Sequence, residues 1–408
     1  MTGISTLIKV ITSYVTVKVL ATIVGPSGIA LIGQLQNFIT VLTTLGAGGI
    51  NNGVVKYVSE YKDNQVMLKK ILSNGFKITA CLSLIVGFII ILLSGFLSKS
   101  ILLDKQYSYL FVIFGISLFF LSINNFFLSV LNGYQEFRRF VIVNIITSII
   151  GLIFTIILVL LFNIKGALLA IVTYQSVIII FTVIYIKKLR WFTKLYLWSS
   201  WNKDVIKKYT YYSFMAIVSA VTVPLTQFII RRFLIHEYSM TDAGYWESMN
   251  KISGLYLMLF TSTFSVYYLP KLSEIKDHAG LKNEILKTYK IFGPVLLITL
   301  IAIFLLKELV VSVLFTSSFD PVKNLFSWQL LGDFFKIMSW ILAFVMVAKS
   351  MSKIYIITEI SFSVLQIILT YFFVNHYGLT GAVQAYFVNY FIYFWTMVVL
   401  FKNILFKK

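Results

Sequence analysis

GPSGIALIGQLQNFITVLTTLGAGGINNGVVKYVSEY, residues Gly25–Tyr61, decides how the rest of the chain is read. It opens on a Gly-Pro-Ser-Gly turn and runs through an apolar segment of helical length. It then meets a glycine cluster and ends in polar residues with Lys56, Glu60, Lys62 and Asp63. An apolar helix of about 20 residues is what crosses a bilayer, so the stretch reads as one span between a turn and a basic end. A weaker copy lies half-way down the chain. Gly244 precedes Lys271 by almost the interval that separates Gly28 from Lys56, and PKLSEI (270–275) stands where the first copy has KYVSEY (56–61). A second correspondence follows: Gly166 opens GALLA and Gly381 opens GAVQA, at similar distances after Arg139 and Lys353.

Composition sets the solvent. The chain is 59% hydrophobic and 12% charged over 408 residues, with mean hydropathy +0.89. Soluble domains carry about 25% charged residues, so much of this surface must face lipid. Twelve segments are long and apolar enough to span: 3–24, 28–50, 71–97, 107–131, 140–162, 166–186, 209–232, 244–268, 289–311, 326–348, 354–375 and 379–401. Continuous apolar runs exclude an outer-membrane barrel, whose short strands alternate. The expected architecture is an all-α polytopic membrane protein with two six-helix lobes, 1–186 and 209–408, joined by a basic linker at 187–208. An even number of helices per half makes both halves insert in the same direction, related by an axis along the membrane normal.

The net charge of +20 points to a phospholipid bilayer and not to nucleic acid, because the cations sit in short loops between apolar runs. With the N-terminus inside, the outer side keeps Lys99, Lys105, Lys165, Arg231, Arg232, Lys307 and Lys323, and the remaining loop cations lie inside. Both termini are therefore expected in the cytoplasm. The first apolar run carries Lys9 and Lys18 and has no small-residue cleavage site, so it reads as a retained helix. The linker (KKLRWFTKLYLWSSWNKDVIKK) reads as an interfacial amphipathic segment, with Trp191, Trp198 and Trp201 at headgroup depth.

No sequence motif points to catalysis. Nucleotide loops, dinucleotide fingerprints, zincin and nucleophile-elbow patterns are missing from the sequence. Cys81 stands alone, and His236, His278 and His376 show no ligand spacing. The chain reads as a non-enzyme that calls for no metal or cofactor, with any uphill work drawn from an ion gradient or another protein.

Charges inside the spans carry the functional signal, since each costs roughly 2.5–3.5 kcal/mol at the bilayer centre and normally faces a bundle interior or water. Glu247 and Lys251 share a helix face at i,i+4, and Asp333 and Lys336 share one at i,i+3. These read either as structural ion pairs or as a proton site beside an anion-binding lysine. Glu359 has no partner on its own helix, nor do Lys18, Arg231 and Arg232. The resulting excess of cations suits an anionic, phosphate-bearing substrate held by Lys18 and Arg231, with Lys251 or Lys336 assisting. Glu247, Asp333 and Glu359 are the candidates for ion coupling. Gln34 and Asn37, in a polar stripe with Thr44, and Asn51 and Asn52 beyond it, are candidates for sugar contact or for helix–helix hydrogen bonding.

The opening stretch, FSVYYLP (264–270) and FSWQLLGDFFKIMSW (326–340) together resemble the Wzx family of lipid-linked oligosaccharide flippases, which serve O-antigen units and enterobacterial common antigen lipid III. The resemblance runs in order along the whole chain. It implies the MATE-like architecture of the multidrug/oligosaccharidyl-lipid/polysaccharide (MOP) exporter superfamily, with helices 1, 2, 7 and 8 prominent around a central cavity. It also implies an inner-membrane protein that moves undecaprenyl-pyrophosphate-linked oligosaccharide to the periplasmic leaflet. A polysaccharide polymerase and a chain-length regulator are the protein partners such a role suggests. A drug exporter of the same superfamily is the first alternative, although its site should be net acidic. A membrane polymerase or acyltransferase is the second, although no large external loop or acid/His cluster is present.

Overall fold

The computed structural model describes residues 2–189, 191–192, 194–349 and 351–406. Arg190, Lys407 and Lys408, counted among the inner cations, lie outside them. Among the described residues every regular element is helical. Among the described residues nine helices are long and apolar enough to cross a membrane, and each of the twelve expected segments falls on helix.

The difference between nine and twelve has a physical origin. The first helix, α1 (Thr2–Gly46), has 45 residues and as a straight rod would measure about 68 Å, more than twice the hydrocarbon thickness. It is broken at Gly25, where φ is 65°, a left-handed conformation that glycine adopts without strain, and Pro26 then starts the second limb. Likewise α6 (Phe137–Ile186) is interrupted at Asn163, with φ 51° and ψ −129°. The third case is a helix of sufficient length that carries Asp242, Glu247 and Lys251 among its apolar residues, α9 (Met240–Thr263).

The break in α6 is a reversal. A Cβ on Gly166 would lie 1.8 Å from the Leu158 carbonyl oxygen, and one on Gly151 would meet the Tyr174 ring at 3.0 Å, so the two limbs run back along each other. The same turn recurs between α14 (Ser352–Tyr377) and α15 (Leu379–Leu400). There Gly378 has φ 66° and ψ −151°, and a Cβ on Gly381 would lie 2.2 Å from the Phe373 carbonyl. In both hairpins the positive-φ residue precedes the tight glycine by three positions. The GALLA/GAVQA correspondence of the sequence is thus a shared backbone turn.

The chain divides into two compact units, one made of residues up to Val19 with Leu31–Leu225, the other of Leu20–Ala30 with Thr226–Lys408. In the first unit, α2 (Asn51–Tyr61), α3 (Gln65–Leu92), α4 (Ser94–Ile101) and α5 (Ser108–Gly133) follow α1 and precede α6. Then come α7 (Lys194–Leu197) and the start of α8 (Lys203–Glu237). Their core gathers Val54, Val58, Ile71, Phe126, Val130, Trp191 and Tyr209. Trp191, grouped by sequence with the interfacial tryptophans, is 4% exposed and stacks on Tyr134 at 6.0 Å. The linker bends its ring inward, where an aromatic pocket buries it.

The second unit is built around α13 (Phe326–Ala348), which packs on α9, α11 (His278–Leu305) and α15. A π turn at Phe264–Tyr268 carries α9 into α10 (Leu269–Glu274). It absorbs Pro270, which lacks the N–H an uninterrupted ladder would use. The remaining short helices are α12 (Lys307–Leu314) and α16 (Lys402–Leu405). The N-terminal end of α9 is held close to residues 20–30: a Cβ on Gly244 would fall 2.0 Å from the Pro26 carbonyl, and Ser27 and Thr241 hydroxyls lie 3.0 Å apart.

Candidate functional site

Within the second unit α9 carries two buried polar clusters. The first joins α8 to α9. Arg231 is 1% exposed, and its guanidinium donates to the Glu247 carboxylate in a charge-assisted hydrogen bond. Lys251, one turn along α9, places its ammonium 3.7 Å from the other Glu247 oxygen. The Trp246 ring lies 5.6 Å from the Arg231 guanidinium. One carboxylate therefore serves two cations, and the group retains one formal positive charge.

The second cluster centres on Asp333, whose residue is fully buried. Its carboxylate accepts from Ser253 Oγ at 2.6 Å, from the Tyr256 hydroxyl and from the Tyr386 hydroxyl at 2.7 Å. Gln329 Nε2 donates to Ser253 Oγ at 3.1 Å, extending the network along α13. Hydroxyls from α9 and α15 thus supply the hydrogen bonds that a carboxylate in an apolar bundle requires. Lys336, one turn away, turns to aromatic rings. Its ammonium lies 5.3 Å from Trp340, 5.3 Å from Tyr386 and 5.0 Å from Tyr390, and Glu359 on α14 is half-buried. Cation–π attraction is strengthened by such desolvation.

These contacts revise two pairings suggested by sequence. Arg231 takes its acid, Glu247, from the next helix. Asp333 and Lys336 share a face, yet no ion pair within 4.0 Å joins them; hydroxyls and rings take their places. Arg232 is exposed at the end of α8.

The other candidates lie in the first unit. Lys18 is half-buried on the first limb of α1. Gln34 is 1% exposed, and neither end of its amide meets a protein partner. Asn37 is half-buried. Gln34, Asn37 and Thr44 all lie on the second limb of α1, which ends at Gly46, ahead of Gly48 and Gly49 with φ 68° and 63°. Asn51 and Asn52 consequently open α2, with Asn52 exposed and the Asn51 Oδ1 buried without a partner. Sequence reasoning did not single out Ser253, Tyr256, Tyr386 or Tyr390. A signal existed in α15, where Tyr386, Tyr390 and Tyr393 recur at i, i+4 and i+7 and so share one helix face. Among the described residues no group of His, Cys, Asp and Glu is arranged to hold a metal ion.

The helical bundle, its long apolar helices and its buried charges define a multi-pass membrane protein. The fold superposes on a multidrug resistance MATE family transporter of the MOP superfamily in an inward-facing conformation, with TM-score 0.78, 16% identity, and coverage of 96% of this chain and 95% of that one. A MOP superfamily transporter from Pyrococcus furiosus, described as having a binding pocket of reverse polarity, gives TM-score 0.68 at 15% identity over 98% and 96% of the two chains. The chain belongs to the polysaccharide biosynthesis protein family, whose model it matches over residues 1–276. It is also 28% identical over 393 residues to the lipid III flippase of Escherichia coli (strain K12), covering 96% of this chain and 94% of that one. The lipid III flippase of Shigella flexneri matches to the same extent.

Proposed function

We propose that this protein is a flippase for undecaprenyl-pyrophosphate-linked oligosaccharides, carrying them from the cytoplasmic to the periplasmic leaflet of the inner membrane by alternating access. The observation that carries this reading is the nearly end-to-end similarity to lipid III flippases. Loss or gain of a whole domain would have broken that coverage. In this reading Lys18, Arg231, Lys251 and Lys336 contact the pyrophosphate, and Gln34, Asn37, Asn51 and Asn52 contact the glycan. The buried Gln34 amide, which lacks a protein partner, suits a role completed by a bound polar group. Arg231 must exchange its Glu247 contact to reach a phosphate, which makes Glu247 the first candidate for coupling, ahead of Asp333 and Glu359. The lobes are residues 1–186 and 209–408 with the linker 187–208 between them in sequence, both termini face the cytoplasm, and a polymerase and chain-length regulator work downstream.

The test is reconstitution in proteoliposomes with fluorescent undecaprenyl pyrophosphates bearing different glycans, with and without a pH gradient. Transbilayer movement of at least one of them is expected, faster with the gradient. Export of small organic cations with no lipid movement would overturn the proposal in favour of a drug exporter, the reading to which the fold alone lends support.

A further inference from the structure

The segment that joins α6 to α8 is fastened to α3. Ser199 N–H donates to Ser73 Oγ at 2.7 Å, Asn202 N–H donates to Asn74 Oδ1 at 3.0 Å, and Lys77 Nζ donates to the Ser199 carbonyl. These bonds hold two exposed tryptophans: Trp198 is 69% exposed and Trp201 is 53% exposed. Both rings flank the Lys77 ammonium, at 5.3 and 5.2 Å. A rigidly held pair of exposed indoles around a lysine is a built surface with a missing partner.

The position along α3 identifies that partner. Cys81, Leu84, Ile85, Phe88 and Leu92 form an exposed stripe on this spanning helix, which is its lipid-facing side. Lys77 lies one turn before Cys81 on the same stripe. Lys77 precedes the first exposed apolar residue of that stripe, at the end where hydrocarbon gives way to headgroups. Indoles concentrate at that depth because one edge is apolar and the N–H is wet. Exposed Lys203 and Lys207 follow Trp201 on the first two turns of α8, and Asp204 is the sole acid between 187 and 208.

We propose that Lys77, Trp198 and Trp201, with Lys203 and Lys207, form a binding surface for anionic phospholipid headgroups. The indoles lie at the acyl boundary and the ammonium groups meet the headgroup phosphate. This surface is independent of the transported substrate.

The experiment uses the full chain in nanodiscs containing dibrominated phosphatidylglycerol or dibrominated phosphatidylcholine. The emission of the indole pair is obtained by subtracting that of the Trp198→Phe/Trp201→Phe variant. Quenching by the anionic lipid should reach its midpoint at no more than about one-fifth of the mole fraction needed for the zwitterionic one, since each lysine near an anionic surface is worth about fivefold. Lys77→Gln should weaken the preference. Lys203→Gln with Lys207→Gln, which touches none of the bonds holding the strap, should reduce it even where Lys77→Gln loosens the segment. Equal quenching by the two lipids in the unaltered protein, absence of quenching by either, or a preference unchanged in the double lysine variant would each overturn the assignment.

Discussion

Arg231, Glu247 and Lys251 show how a bundle interior tolerates ionised side chains. Desolvation makes an isolated buried charge very costly, so the groups persist by pairing, and removing one partner costs more than removing both. Glu247→Leu leaves Arg231 and Lys251 without the carboxylate they share and should destabilise the protein by about 3–5 kcal/mol. Adding Arg231→Met and Lys251→Met should recover most of that loss. Thermal unfolding of the purified single and triple variants in detergent checks this: additive losses would show that the three residues are not coupled. Sequence could place Glu247 and Lys251 on one face, since both lie on α9 at i,i+4. It could not supply Arg231 with its acid, because that contact crosses from α8 to α9. The three hydroxyl donors on Asp333 were hidden for the same reason: they come from two other helices.

At the scale of elements, breaks and fastenings matter more than helix propensity. Gly25, Asn163 and Gly378 are left-handed residues at points where apolar sequence reverses or kinks. The Gly-Pro pair at 25–26 and the glycine cluster at 46–49 were visible as turns. Asn163 was visible only through the gap between two apolar runs. The 187–208 segment differs again, since composition suggested an interfacial linker but not what holds it. Its attachment to α3 uses side chains bonded to main-chain groups, which have no periodic signature. Ser73→Ala and Asn74→Ala should each release one amide, at Ser199 and Asn202 respectively. A neutral hydrogen bond is worth about 0.5–1.5 kcal/mol, so those amides should exchange with deuterium about two- to tenfold faster. Hydrogen–deuterium exchange read by mass spectrometry on peptides spanning 196–206 measures this, and unchanged protection would mean that packing alone holds the segment.

For the whole molecule, the asymmetric distribution of lysine and arginine is the dominant long-range feature. It predicts cytoplasmic termini. A green fluorescent protein fused after the C-terminus should fluoresce, and alkaline phosphatase fused there should be inactive; the reverse pattern would invert every loop. The same asymmetry predicts that Trp198 and Trp201 lie at the inner leaflet.

What the amino-acid sequence determined by itself is the class of molecule: an apolar chain divided by turns into spanning helices, with an internal echo between its halves and a basic side. Hydropathy and helix length are one-dimensional quantities, and the membrane makes them sufficient because every backbone polar group must be satisfied within its own segment. Tertiary structure alone decided which buried charges are neutralised and by what. Glu247 turned out to bridge Arg231 and Lys251, Asp333 to collect hydroxyls, and Lys336 to sit among rings. Those partners lie on different helices, brought together by packing, and spacing along a single helix carries no record of them.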